Sequence, residues 1–221
     1  MPASAQDPHA GQALREGGAP LRRARAAVVM LHGRGATAES ILELADVFAQ
    51  PDVAYLAPAA AANTWYPYSF LAPVEQNEPY LGSALAAVDR AVATLGDAGM
   101  PLDRTVVLGF SQGACLACEY AARHAGRFGG VVAFSGGLIG TGGAGAFDYA
   151  GAFGGTPVFV GCSDIDPHIP LERVRLTASV FGEMGAEVTE RIYPGMGHTV
   201  NDDEIGWVRG LLSGLLPGLV S

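Results

Sequence analysis

Apolar residues in this chain fall into short continuous runs separated by stretches of helical period. The runs at 26–31 (AAVVML), 53–56, 106–108, 131–134 and 157–162 are each too short for a helix and have Gly or Pro in or close to them, so they read as strands. The less apolar stretch 188–193 reads as a last strand. Runs without polar alternation belong to strands covered on both faces, as in a parallel sheet.

Between the runs the period changes. Thr37 or Ser40 opens a pattern through Ile41, Leu44, Ala45 and Phe48 that Pro51 stops. Leu81, Leu85, Val88, Val92 and Leu95 recur at three- and four-residue spacing, which predicts a helix over 81–95. Stretches 114–125 and 171–184 are helical in pattern, and Gly185 closes the second. Asn201-Asp202-Asp203-Glu204 starts a final helix with anionic residues where the dipole favours them. Strands alternating with helices predict an α/β fold: a single, doubly wound, mostly parallel sheet flanked by helices, in one domain over 25–221. Residues 1–24 are polar, spotted with Gly and Pro, and lack an apolar core segment. They are expected to be a partly ordered leader, not a secretory signal.

Two segments fit neither period. Residues 63–80 (NTWYPYSFLAPVEQNEPY) are dense in aromatics and prolines and are expected to form a structured loop. Large aromatics there must bury against something, and Trp65, Tyr66, Tyr68 and Phe70 are candidates for the wall of a substrate cleft. Residues 136–155 are glycine-rich. Within them Gly140 to Gly145 satisfies GxGxxG, but the motif starts several residues after its strand and no helix follows to supply a dipole, so a surface loop is expected instead of a dinucleotide site.

Composition narrows the partners. The 221 residues carry 13 basic and 22 acidic side chains, a net charge of −9, which argues against nucleic acid or an anionic membrane surface. No apolar stretch is long enough to span a bilayer, so integral membrane contact is not expected. Three cysteines, an odd number, do not suggest a disulfide framework and fit a cytoplasmic setting. Cys115 and Cys118 form a CxxC inside a helical stretch, where a small buried hydrophobe is expected.

The chemistry gathers at Gly109-Phe110-Ser111-Gln112-Gly113. An apolar strand runs into Gly-x-Ser-x-Gly and a helix leaves, the pattern of a nucleophile elbow. Serine needs a base to take its proton and an acid to orient that base. Of the five histidines, His198 is the one that follows a strand and a glycine turn, Gly195-Met196-Gly197. His32 follows the first core strand and reads as a loop-shaping residue.

Leu31-His32-Gly33-Arg34-Gly35, the Ser111 pentapeptide, Asp166-Pro167-His168-Ile169-Pro170 and Gly195-Met196-Gly197-His198 occur in this order. Together they resemble the phospholipase/carboxylesterase family of α/β-hydrolases, which includes acyl-protein thioesterases. The resemblance covers roughly residues 26–216. It implies an α/β-hydrolase fold and a serine hydrolase that needs no cofactor or metal. Such an enzyme cleaves small-molecule carboxylic esters or thioesters through an acyl-enzyme on Ser111, with His198 as base. It further implies an oxyanion hole from the backbone amides of Arg34 and Gln112.

Two marks of the family's acid fall on different residues here. Asp164 stands three past Gly161, whereas Asp166 precedes the Pro-x-Ile-Pro stretch. Asp166 is preferred because that stretch sets where the next helix starts, with Asp164 as the alternative. Asp164, Asp166 and His168 as metal ligands is the less favoured reading, since no second ligand cluster is in view. The Arg34 side chain is expected either to point to solvent or to meet an anionic group. The aromatic loop favours short or aromatic esters. A lysophospholipase, acyl-protein thioesterase, lactone hydrolase or acyltransferase stays open, as does a non-catalytic binding protein on the same fold, as monomer or homodimer.

Overall fold

Continuous apolar runs become central strands because each face of the sheet is covered by helices. The computed structural model describes residues 7–143 and 145–216. In chain order it forms β1 (Leu14–Gly18), β2 (Ala26–Leu31), α1 (Ala38–Phe48), β3 (Val53–Pro58), α2 (Tyr80–Asp97) and β4 (Thr105–Phe110). There follow α3 (Gln112–Arg123), β5 (Gly130–Phe134), β6 (Pro157–Ser163), α4 (Leu171–Glu183), β7 (Glu187–Tyr193) and α5 (Asp202–Gly214). The strands make one seven-stranded sheet in the order β1-β3-β2-β4-β5-β6-β7. All neighbours are parallel except β1, which runs antiparallel to β3.

Strand β2 shows why no polar alternation is present. Ala27, Val29 and Leu31 pack with α2, α3 and α4 on one face, while Ala26, Val28 and Met30 pack with α1 and α5 on the other. A polar residue on either face would be buried without a partner. Helix α1 is opened by a Thr37–Ser40 capping box and α5 by an Asn201–Glu204 box, as the sequence signals at Thr37, Ser40 and Asn201 suggest.

The chain lays β3 to one side of β2 and then β4 to the other. This reversal leaves a crevice at the carboxyl ends of β2 and β4, where open α/β sheets bind ligands. Both the His32-Gly33-Arg34 loop and Ser111 leave the sheet there.

The stretch expected as a partly ordered leader contributes an edge strand. Its residues 1–6 lie outside the described residues, but β1 pairs along its length with β3, from Leu14 opposite Pro58 to Gly18 opposite Ala54. Strand β1 (LREGG) has no apolar alternation because it lies at the rim, half-exposed, and its charged residues discourage further pairing. Among the described residues no helix is long and apolar enough to cross a membrane.

Candidate active site

Strand β4 ends at Phe110, and Ser111 stands at the turn with φ 55° and ψ −118°. A non-glycine residue held there costs on the order of 1–3 kcal/mol and persists only where its surroundings over-determine it. The surroundings do so. Ser111 N–H donates to the Phe134 carbonyl at 2.9 Å, tying the turn to β5. A Cβ on Gly109 would run into the Gly113 carbonyl, and one on Gly113 into the Leu31 carbonyl of β2. Strand and helix therefore approach as closely as backbone allows. Gln112 is the first residue of α3, so its N–H has no acceptor within the helix.

His198 lies on the loop between β7 and α5. Its Nδ1 is 2.7 Å from Asp166 Oδ2, with the Asp166 side chain fully buried and that of His198 17% exposed. A proton on Nδ1 facing the carboxylate leaves Nε2 as the lone-pair nitrogen. Asp166 Oδ1 accepts from the backbone N–H of His168 at 2.8 Å and of Ile169 at 3.1 Å. Burial works to raise the Asp166 carboxyl, but the His198 ring and these two amides hold it below the usual carboxylate range. Asp164 acts on the backbone instead, its Oδ1 accepting from Gly195 N–H at 2.8 Å and fixing the turn before His198. Among the described residues no group of His, Cys, Asp and Glu is placed to hold a metal ion.

Ser111 and His198 border one cavity of about 410 Å³, together with Gly33, Arg34, Gln112 and His168. The Phe110 and His168 rings pack against the His198 ring at 4.9 and 4.8 Å between centroids. A second groove of about 440 Å³ shares Gly33, Ala36, Phe110 and His198 with it and adds Ile41, Leu44 and Val200.

Of the four loop aromatics, Tyr66 and Phe70 form cavity wall. Trp65 and Tyr68 do not border it. Trp65 is fully buried behind it, its ring 4.9 Å from His32 and its Nε1–H donating to the His32 carbonyl at 2.9 Å. Tyr68 faces out, 58% exposed. All four residues sit in one loop, and only its turns decide which ring faces in.

Side chains given no part in the chemistry also build the site. The Gln112 side chain clamps the aromatic loop to α3, accepting from Trp65 N–H at 3.0 Å and donating to the Tyr66 carbonyl at 2.8 Å. His9 is buried in the expected leader. Its Nε2 donates to the Trp65 carbonyl at 2.9 Å, and its Nδ1 accepts from Ala61 N–H at 3.0 Å. His32 shapes its loop as expected: Nδ1 donates to the Gly33 carbonyl at 2.8 Å and Nε2 accepts from Ala60 N–H at 3.2 Å. Burial lowers its pKa from the ordinary histidine value.

Arg34 is solvent-exposed, and its side chain is also tied to the aromatic loop. Its guanidinium donates to the Pro67 carbonyl at 3.1 Å and the Tyr68 carbonyl at 2.9 Å, and lies 5.9 Å from the Tyr66 ring centroid. The glycine-rich loop is strapped down by Arg173 of α4, which donates to the carbonyls of Leu138, Gly140 and Gly142. Ala144, within the GxGxxG, lies outside the described residues. Cys115, Cys118 and Cys162 are free and buried, and burial pushes the Cys115 and Cys162 thiols up to about 12.

With this geometry in view, a sequence profile of the phospholipase/carboxylesterase family matches residues 18–215. Acyl-protein thioesterase 1 of Gibberella zeae is 31% identical over 122 residues, covering 55% of this chain and 52% of that protein. The match thus spans about half the length of that relative. The crystal structure of a phospholipase/carboxylesterase from Dyadobacter fermentans superimposes with a TM-score of 0.87 at 45% identity, over 92% of this chain and 97% of the other. Esterase PE8, at 20% identity and a TM-score of 0.73, covers 92% of this chain and 99% of its own and shares the fold.

Proposed function

The chain belongs to the phospholipase/carboxylesterase family of α/β-hydrolases, and from that premise we propose that it hydrolyses small carboxylic esters or thioesters through an acyl-enzyme on Ser111. Ser111 Oγ attacks the carbonyl carbon as His198 Nε2 takes its proton. Asp166 stabilises the imidazolium through the Nδ1–H it already holds. The amides of Arg34 and Gln112 receive the oxyanion. The leaving alcohol or thiol takes the proton back from His198, and a water, activated by the same ring, releases the acid.

The observation that carries this reading is the 2.7 Å contact between His198 and Asp166, on a ring that borders the same cavity as the strained Ser111. Asp166 is taken as the acid and Asp164 as the residue that holds the turn. Tyr66 and Phe70 are taken as substrate-facing. The free buried cysteines support a cytoplasmic setting.

The test is a fluorophosphonate and p-nitrophenyl acetate. Wild type should form one covalent adduct at Ser111 and release p-nitrophenol, and Ser111→Ala should do neither. An unlabelled Ser111, with equal turnover by wild type and Ser111→Ala, would sink the proposal.

A further inference from the structure

Among the thirteen residues lining the Ser111 cavity there is no Asp or Glu, and Arg34 is the sole Lys or Arg. This contrasts with the chain as a whole, in which 22 acidic residues outnumber 13 basic ones. Asp166, the acidic side chain nearest the chemistry, is fully buried behind His198 and does not border the cavity.

Arg34 is also held ready. Its bonds to the Pro67 and Tyr68 carbonyls use two of five N–H donors, both on neutral acceptors. Among the described residues no carboxylate forms an ion pair with it. The Tyr66 ring and the two carbonyls restrain the guanidinium, so little side-chain freedom is left to lose when an anion arrives. A full positive charge with unused donors thus lies 5.9 Å from the ring of Tyr66, a wall of the acid-free cavity that Arg34 itself also lines.

We infer that Arg34 selects for esters that carry a carboxylate on the part of the substrate lying along the Tyr66 wall, through charge-assisted hydrogen bonds from its free N–H groups. This rests on the hydrolase reading above and adds the substrate class to it. A neutral ester of the same length reacts but leaves the guanidinium without its partner, so discrimination shows as a ratio of kcat/KM values.

The experiment uses two matched pairs. Mono-p-nitrophenyl adipate is set against p-nitrophenyl hexanoate, which places the carboxylate on the acyl side. p-Nitrophenyl acetate with a ring carboxylate beside the nitro group is set against the plain acetate, which places it on the leaving group. In at least one pair wild type should prefer the anionic ester, and Arg34→Gln should lower the anionic-to-neutral ratio by about tenfold. Arg34→Lys should keep part of the preference. Any loss from disturbing the Arg34 amide or the loop affects both members of a pair and cancels in the ratio. In wild type alone, added salt should slow the favoured anionic ester more than its neutral partner. Ratios unmoved by Arg34→Gln in both pairs, with no difference in salt dependence, overturn the inference and leave the hydrolase reading standing. If wild type hydrolyses no ester faster than Ser111→Ala does, the hydrolase reading itself has failed.

Discussion

Asp166 and His198 meet at 2.7 Å, whereas Asp164, two residues earlier on the same loop, bonds the backbone of Gly195. The two carboxylates share the placing of His198. One addresses the ring and the other the turn that carries it.

This division predicts unequal effects of the same substitution. Asp166→Asn should lower kcat by about 10³–10⁴-fold, because an amide cannot hold Nδ1–H as a carboxylate does and favours the wrong tautomer. Asp164→Asn should cost less than about tenfold, since the asparagine carbonyl still accepts from Gly195 N–H. Steady-state kinetics on a p-nitrophenyl ester decide the matter. The reverse order of losses would make Asp164 the acid.

A methyl group on either elbow glycine would strike backbone, whereas one on Gly206 would meet nothing. Gly113→Ala drives a Cβ into the Leu31 carbonyl and should destabilise the protein by ~3 kcal/mol through forced separation of β2 and α3. Gly206 of α5 has open space around its missing Cβ, so Gly206→Ala should stabilise by about 0.5–1 kcal/mol. Urea unfolding of both variants tests the contrast. Equal effects would mean that β2 and α3 do not approach as closely as described.

Glu204 caps α5 with one oxygen, accepting from Asn201 N–H at 2.9 Å, while its Oε1 has no partner and points at Gly161 of β6. Burial pushes its carboxyl up to about 7, from an ordinary value of 4.5. Between these values the unfolded chain has lost the proton and the folded chain keeps it. Stability therefore falls as pH rises through that window, by about 3 kcal/mol at completion, and the deficit is full above it. Glu204→Gln cannot ionise and retains a cap acceptor. Its unfolding free energy relative to wild type should climb from about pH 5 to about pH 8. A difference that does not change with pH would show that Glu204 titrates normally.

Much of the fold was legible because burial imposes a pattern. Strand β2 is apolar on both faces and α1 has a capping signal and a Pro stop, so their types and positions follow from local rules. Strand β1 obeys no such rule: half-exposed at the rim, it is held by backbone pairing with β3, which almost any residue but proline can supply. The helix of Cys115 and Cys118 was legible as buried, and both thiols are.

The chain's own order of residues determined that a serine would sit in a strand–turn–helix elbow and that His198 would follow the last strand. Those are properties of neighbours along the backbone, where glycine, period and turn chemistry act locally. Three things were left to the tertiary structure: which aspartate faces His198, which loop aromatics turn inward, and where the Arg34 side chain goes. Each depends on contacts between segments far apart in sequence, such as Asp166 with His198, Gln112 with Tyr66, and Arg34 with Tyr68. Each of two aspartates separated by a single residue carries one local mark of the acid, and only the path of the folded loop brings one carboxylate to the imidazole and the other to the turn before it.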